Sequence, residues 1–283
     1  MRLLTTVIFV SLAIACSPSG DPPRLTRNLV GTIRCFDEFG NSLPEDLPGI
    51  SVSLGNGSAG QATPTDGTGT YRFALVDSGQ YTITVSKNGY GTMQQFGIQV
   101  NPHRDSINIT QQLAPMSISR LSTTAISQFS AHCEPGGTIA FNLKITPAPT
   151  TNQTPRYFRV FLGKDSGVSF THFDRFLPAL PIESSEAGKL VYSNFLETFP
   201  AGSTVWMRVY GDAYLNNMYT DKLLDIPVFP CLNPVTLPAV SFIMQQALFL
   251  GHALIIITKK LNSLLYIADR VLKKAAYASS KER

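Results

Sequence analysis

Apolar and polar residues alternate in short runs from residue 28 to residue 113, and turns rich in Gly, Asn, Asp and Pro separate the runs. Alternation with a period of two places one face of a strand on a core and the other face in solvent. The runs that predict strands are residues 29–36, 50–54, 71–75, 81–85, 96–100 and 107–113. Short strands at this spacing are typical of a β-sandwich.

A second β-rich region begins at Pro115. Its predicted strands are residues 126–131, 138–145, 157–162, 190–195 and 205–210, and a linker rich in Pro and Thr lies at 146–152. Residues 200–211 resemble the penultimate strand of a fibronectin type III or immunoglobulin-like (Ig-like) domain. The whole body of the chain is therefore predicted to be all-β, with two consecutive β-sandwich domains.

Trp206 lies in the last of these strands and faces the side opposite Val205 and Val209. An aromatic ring in this position could form a platform that stacks on a sugar. It could also pack in or over a face of the sandwich, which is the commoner role of a large aromatic side chain.

The C-terminal part of the chain has a different pattern. Residues 226–258 contain no charged residue, and residues 247–257 are strongly apolar. This length permits a membrane span that begins near Leu237, although glutamines and a histidine within it would be costly in hydrocarbon. Apolar residues in 261–275 have helical spacing with basic residues beside them, which predicts an amphipathic helix on an anionic membrane surface or on a partner. Alternatively, residues 238–243 are a last strand, and the residues after them come from a shifted reading frame.

The N-terminal end predicts where the protein is located. Residues 3–15 are apolar after Arg2 but too short to cross a bilayer of about 30 Å, which favours a cleaved signal peptide. Residues 12–16 resemble the lipobox of bacterial lipoproteins, although Ala13 stands where that pattern usually has Leu. The resemblance implies lipid attachment at Cys16 and, because the next residue is Ser17, an outer-membrane location with a periplasmic or surface face. An ordinary signal peptide with an incidental Cys16 is the alternative.

Five blocks in the first region match a known domain in the same order. They are residues 30–33, 49–52, 65–73, 78–83 and 87–90. Together they resemble the carboxypeptidase regulatory-like domain, a prealbumin-like sandwich that is found beside enzymes, in transporters and in surface proteins. The resemblance implies a fold without catalytic activity of its own, and no peptidase domain accompanies it here.

Residues 105–107, Asp-Ser-Ile, resemble the O-glycosylation signal of Bacteroidetes secreted proteins, which implies a Bacteroidetes-like source and modification at Ser106.

These patterns give a predicted organisation in five parts. They are a signal peptide at 1–15, a linker at 16–27, the carboxypeptidase regulatory-like sandwich at 28–114, the Ig-like or fibronectin-like sandwich at 115–236 and an apolar and basic helical tail at 237–283. Residues 17–245 carry 15 Lys and Arg against 17 Asp and Glu, whereas residues 246–283 carry 7 against 2. The basic balance therefore belongs to the tail, and the body has no electrostatic pattern for nucleic acid.

Candidate chemistry is sparse. Cys133 and Cys231 lie near the two ends of the second domain and are the favoured pair for a disulfide, while buried free cysteines that act as small apolar residues are the alternative. Cys35 could also be free. Four carboxylates, Asp37, Glu38, Glu45 and Asp46, cluster in one loop that could bind calcium, but a solvated loop is the simpler interpretation. His172 and Asp174 alternate on one strand, where a surface pair is more plausible than a catalytic base. We identify no phosphate loop or nucleophile elbow, and predict no enzyme, cofactor or metal site.

The sequence supports two hypotheses about function. In the first, the protein is a non-catalytic, lipid-anchored envelope protein that acts as a binding or adhesion module for a glycan, a peptide or another envelope protein. In the second, it is an accessory subunit of an envelope assembly or transport complex and docks through its C-terminal helix.

Overall fold

The computed structural model describes residues 26–55, 60–101, 110–135, 137–149, 155–191, 198–215 and 217–245. These residues form strands and one short 3₁₀ helix, Pro44–Asp46. The strands are β1 Thr26–Phe36, β2 Ser51–Gly55, β3 Gln61–Pro64, β4 Thr70–Asp77, β5 Gly79–Ser86, β6 Met93–Val100, β7 Thr110–Gln112, β8 Met116–Ser119, β9 Ala125–Glu134, β10 Thr138–Thr146, β11 Arg156–Gly163, β12 Arg175–Phe176, β13 Leu180–Ile182, β14 Glu186–Val191, β15 Thr204–Asp212, β16 Tyr219–Asp221, β17 Ile226–Val228 and β18 Val240–Ile243.

The first unit, β1 to β8, is a sandwich of two sheets. One sheet has the order β4-β1-β7, with β8 also paired to β1, and the other has the order β3-β2-β5-β6. Alternate residues of both sheets meet in one core, which includes Ile33, Phe73 and Ile83. Tyr71 also enters this core, and an added Cβ on Gly31 would lie 2.3 Å from the Tyr71 hydroxyl, so the ring requires a glycine on the neighbouring strand.

The second unit, β9 to β18, is also a sandwich. The sheet β14-β10-β9 packs on the sheet β12-β11-β15-β18, to which β13 is added beside β11. The core between them includes Phe141, Phe158 and Met207. The other face of β11 and β15 is covered by a second apolar cluster around Phe161, Tyr210 and the neighbouring loops. The sheet of β11 and β15 is therefore buried on both faces.

Most of the predicted strands are confirmed. The predicted strands 29–36, 50–54, 71–75, 81–85 and 96–100 correspond to β1, β2, β4, β5 and β6, and those of the second region to β9, β10, β11, β14 and β15. Residues 102–109 and 192–197, which belong to two other predictions, lie outside the described residues. The short strands β3, β8, β12, β13, β16 and β17 had no predicted counterpart.

The structure shifts both limits of the second region. β8 pairs in parallel with β1, and its residues Met116 and Ile118 are buried in the first core, so this core extends beyond the predicted end at 114. At the other end, β18 pairs with β15, and Leu237 packs on the second core. The strand predicted at 238–243 in the alternative is confirmed over Val240–Ile243, while the shifted reading frame after it stays a prediction. A membrane span beginning near Leu237 is wrong for residues 237–244.

The rest of the predicted tail, residues 246–283, lies outside the described residues, and so do Cys16 and Ser106. Within the described ranges, no helix is long and apolar enough to cross a membrane.

The predicted disulfide between Cys133 and Cys231 is contradicted by the structure. Both residues, and Cys35 as well, are free thiols. The Cys133 sulfur lies 3.8 Å from the Met244 sulfur, on the core between the two sheets, whereas Cys231 lies 3.7 Å from the Ser119 carbonyl at the boundary with the first unit. The positions of the two cysteines near the ends of the domain therefore did not bring their side chains together. Burial raises the pKa of the Cys231 thiol to about 12.

The two units meet at a junction of close contacts. The backbone N–H groups of Ser122 and Tyr214 donate to the carbonyls of Cys231 and Glu38, each at 2.9 Å. Arg156 is only 7% exposed, and its guanidinium donates to the Thr123 hydroxyl at 3.0 Å. The Glu38 carboxylate accepts from the Thr123 hydroxyl at 2.6 Å and lies 3.5 Å from the same guanidinium. Glu38 of the first unit and Arg156 of the second are therefore linked through Thr123.

Candidate binding groove

The connection between β15 and β18, residues 213–239, positions one wall of a groove. We call it the bridging segment. It leaves the second sandwich at Ala213, runs along the first unit and returns through Phe229 and Leu232, which are buried in the second apolar cluster. Its middle forms a hairpin in which Tyr219–Asp221 pairs antiparallel with Ile226–Val228. This hairpin lies beside β6 of the first unit, where the Tyr219 and Phe96 rings are 6.2 Å apart at an angle of 43°.

The floor of the groove is the outer face of the sheet β2-β5-β6. Alternation along β5 buries Tyr81, Ile83 and Val85 in the core and leaves Thr82 and Thr84 on the outer face. Gln94 of β6 is paired with Thr84, and its side-chain amide donates to the Thr84 hydroxyl at 3.3 Å. The floor therefore presents amide and hydroxyl groups, arranged by the period of two in each strand.

The groove has a volume of about 870 Å³. Side chains from both units line it: Ser53, Gln80, Thr82, Thr84, Gln94 and Phe96 from the first, and Asp221, Lys222 and Leu223 from the second. The Asp221 carboxylate accepts from the backbone N–H of Leu223 at 2.8 Å, which shapes the loop of the hairpin. Leu223 is 90% exposed. The lining thus combines polar groups, the aromatic side chains of Phe96 and Tyr81, aliphatic side chains, one carboxylate and one ammonium group.

Two other concave surfaces are present among the described residues. One, of about 380 Å³, lies at the junction and is lined by apolar side chains such as Leu121, Phe170 and Phe229. The other, of about 520 Å³, lies on the sheet β14-β10-β9 and is lined mainly by polar side chains such as Gln128 and Asn142. The groove on β2-β5-β6 is larger than both, and it places the Phe96 ring beside several amide and hydroxyl side chains, a composition that suits a specific ligand.

Three of the four carboxylates of the first loop, Asp37, Glu38 and Asp46, have separate structural roles. Asp37 accepts from the backbone N–H groups of Phe39 and Asn41 and closes the turn, while Glu38 holds the junction. Asp46 accepts hydrogen bonds from the Tyr90 hydroxyl and, at 2.7 Å, from the Arg120 guanidinium, which hold the pKa of its carboxyl below the usual value. Within the described residues, no three His, Cys, Asp or Glu side chains are grouped as metal ligands. The calcium alternative therefore gains no support, since protein donors occupy Asp37, Glu38 and Asp46.

His172 and Asp174, which were predicted as a surface pair, each form a hydrogen bond with a different residue. His172 Nε2 lies 3.0 Å from a carboxylate oxygen of Asp165, whereas Asp174 accepts from the backbone N–H of Lys164 at 3.0 Å.

Trp206 is half-buried against the second apolar cluster, while Val205, Met207 and Val209 of the same strand enter the core on the opposite side. The packing interpretation of Trp206 is confirmed.

None of the groove residues was predicted as a site. Alternation in the sequence could have placed Gln80, Thr82 and Thr84 on one face of β5, but a polar outer face is the ordinary state of a strand. The wall of the groove comes from residues more than 120 positions away from its floor. A local sequence pattern therefore could not predict that the floor and the wall lie side by side.

Comparison with curated protein sequences gives no significant match. Among solved structures, a candidate carbohydrate binding protein from Bacteroides uniformis is 11% identical with a TM-score of 0.28, over 77% of this chain and 99% of that one. A DUF3823 family protein from Parabacteroides merdae is 12% identical with a TM-score of 0.29, over the same shares of the two chains. Identities and TM-scores this low do not allow the ligands of those proteins to be inferred for this chain.

A family model identifies part of the first unit. The model of the carboxypeptidase regulatory-like domain matches residues 40–114, which contain strands β2 to β7 and the floor of the groove. The blocks at 49–52, 65–73, 78–83 and 87–90 lie within this match, and the block at 30–33 precedes it on β1. Residues 40–114 therefore match the carboxypeptidase regulatory-like domain family.

Proposed function

We propose that this chain is a non-catalytic binding protein of the bacterial envelope and that its groove binds a glycan. The observation that carries the proposal is the floor of amide and hydroxyl side chains beside Phe96, closed on one side by the hairpin of the second unit. Sugar hydroxyls donate and accept hydrogen bonds, as Gln and Thr side chains do, and the apolar face of a sugar ring can stack on an aromatic ring.

The charges of the groove favour a neutral glycan. Asp221 and Lys222 contribute one charge of each sign to the lining, and the other polar groups of the floor are uncharged. An anionic polymer would gain little net attraction from such a surface, because attraction to the ammonium group is offset by repulsion from the carboxylate. We therefore choose neutral oligosaccharides as probes.

The proposal is tested by calorimetric titration of the purified full-length protein with cellohexaose, maltohexaose, xylohexaose and laminarihexaose. We expect at least one of them to bind, and we expect Gln94→Ala and Phe96→Ala each to weaken that binding about tenfold, since one such contact contributes about 1–1.5 kcal/mol. Gln128→Ala is the matched control, because Gln128 is an exposed glutamine on a sheet of the other unit.

Two results would reject the glycan proposal. One is the absence of binding to all four hexasaccharides. The other is equal weakening by Gln94→Ala and Gln128→Ala, which would place the contact outside the groove.

The location at the envelope is a separate part of the proposal, and it rests on the signal-like residues 3–15 and on Cys16. β1 begins at the end of the first unit that lies away from the junction, since it runs toward the contact between Glu38 and Tyr214. Cys16 therefore precedes, along the chain, the end of the first unit that is remote from the junction.

Intact mass and membrane fractionation of the expressed protein test the lipid anchor, with Cys16→Ala as the comparison. We expect a mass gain of lipid size in the membrane fraction and release of the Cys16→Ala variant into the soluble fraction. An unchanged mass would reject lipidation. If the variant kept its membrane association, residues 246–283 would be a second anchor, and the accessory-subunit hypothesis would be favoured instead.

A further inference from the structure

The groove is composite, so its width depends on how closely the bridging segment approaches the first unit. The floor belongs to β2, β5 and β6, whereas the wall is the hairpin β16–β17. The Tyr219 and Phe96 rings meet at 6.2 Å in a tilted arrangement, which is a loose contact. A tighter contact elsewhere must hold the hairpin in place.

Gly91 provides that contact. An added Cβ on Gly91 would lie 2.7 Å from the Pro230 carbonyl oxygen and 2.8 Å from the Cys231 sulfur, both in the bridging segment. These distances are shorter than any ordinary carbon contact, so the bridging segment can reach this position only because residue 91 has no side chain.

The atoms around Gly91 cannot move apart freely. The Gly91 N–H donates to the Ser119 carbonyl at 2.9 Å, and the Cys231 carbonyl accepts from the Ser122 N–H at the same distance. Cys231 is 1% exposed, and its sulfur contacts the Ser119 carbonyl. Gly91 is therefore fixed within the first unit through Ser119, and Cys231 of the bridging segment is held beside it by its contacts with Ser119 and Ser122.

The hairpin is close to this contact along the chain. β17 ends at Val228, and Pro230 lies two residues later. A displacement of Pro230 and Cys231 by a fraction of an ångström would pass directly into the hairpin, because the intervening Phe229 is buried and packed on three other rings.

We propose that Gly91 is a positioning residue for the groove: by admitting Pro230 and Cys231 to close contact, it sets the distance between the hairpin β16–β17 and the floor on β6. The effect on hairpin position depends on the contact alone. The effect on ligand affinity rests on the proposed function.

The test compares Gly91→Ala with Gly67→Ala, since an added Cβ on Gly67 meets nothing within 4 Å. Hydrogen–deuterium exchange of the hairpin amides is measured first, without any ligand. For Gly91→Ala we expect exchange in β16–β17 to rise about tenfold while exchange in β11 stays unchanged, and the affinity for the best-binding hexasaccharide of the panel to fall about tenfold. For Gly67→Ala we expect neither change.

The outcomes separate the positioning role from the glycan proposal. Faster hairpin exchange in Gly91→Ala, in a protein that binds no hexasaccharide, would support the positioning role and reject the glycan function. Unchanged hairpin exchange in Gly91→Ala would overturn the positioning role. If the wild-type protein binds a hexasaccharide, an equal affinity in Gly91→Ala would overturn it as well. If Gly91→Ala does not fold, Cys231→Ala loosens the same contact without adding an atom, and the same increase in hairpin exchange is expected.

Discussion

Replacing Asp212 with Ala is expected to lower the free energy of unfolding by about 3–5 kcal/mol, because it leaves the buried Arg159 guanidinium without its counter-ion. Arg159 and Asp212 are 1% and 3% exposed. Two guanidinium nitrogens of Arg159 lie 2.7 Å from one carboxylate oxygen of Asp212, and the third donates to the Leu177 carbonyl at 3.1 Å. Burial raises the pKa of the Asp212 carboxyl, and the attraction of Arg159 opposes that shift.

Equilibrium urea denaturation measures this loss, with Glu186→Ala as the control. Glu186 pairs with Lys144 at 2.8 Å, but their side chains are 67% and 43% exposed, so the loss there is expected to stay below about 1 kcal/mol. A double variant, Arg159→Met with Asp212→Leu, should recover most of the lost stability, because it removes both charges from the apolar site. Equal losses in Asp212→Ala and Glu186→Ala would show that the buried pair has no special role.

Replacing Phe229 with Ala is expected to cost about 3–5 kcal/mol of unfolding free energy, since it removes a buried ring at the base of the bridging segment. Its ring centroid lies 5.0 Å from those of Phe161 and Phe176, and the Arg159 guanidinium carbon lies 4.7 Å from it. The cavity would open between the second sandwich and the hairpin, so the hairpin should also lose its fixed position.

Phe96→Ala is the matched comparison for Phe229→Ala, because Phe96 is only half-buried on the groove face. Urea denaturation should show a small loss for Phe96→Ala, about 0.5–1 kcal/mol, although we expect this variant to weaken glycan binding about tenfold. Stability retained within about 1 kcal/mol in Phe229→Ala would contradict the assigned role of the ring. The Phe229→Ala and Asp212→Ala effects should not add, because both side chains contact Arg159.

The strands were largely predictable, and the reason is local. In β5, each apolar residue that enters the core is followed by a polar residue that faces outward, and the turn residue Ser78 separates β4 from Gly79, the first residue of β5. Alternation and turn residues are properties of adjacent positions, so the sequence alone carries them. The strands without a predicted counterpart are short, with two to four residues each, and runs of this length show hardly any period.

The disulfide prediction failed for a different reason. Cys133 and Cys231 each contact their own surroundings, a methionine sulfur in one case and the Ser119 carbonyl in the other. Which side chains meet depends on which sheet and which end of the sandwich each strand occupies. Spacing along the chain does not specify either of these.

The sequence by itself determined the all-β class, most strands and the family of residues 40–114, because each depends on short-range alternation and on turn residues at fixed positions. Only the tertiary structure decided where the groove lies. Its floor and its wall come from two units whose approach depends on a glycine at position 91 and a buried segment around Cys231. Such a contact is a property of packing in three dimensions, and no pattern of neighbouring residues records it.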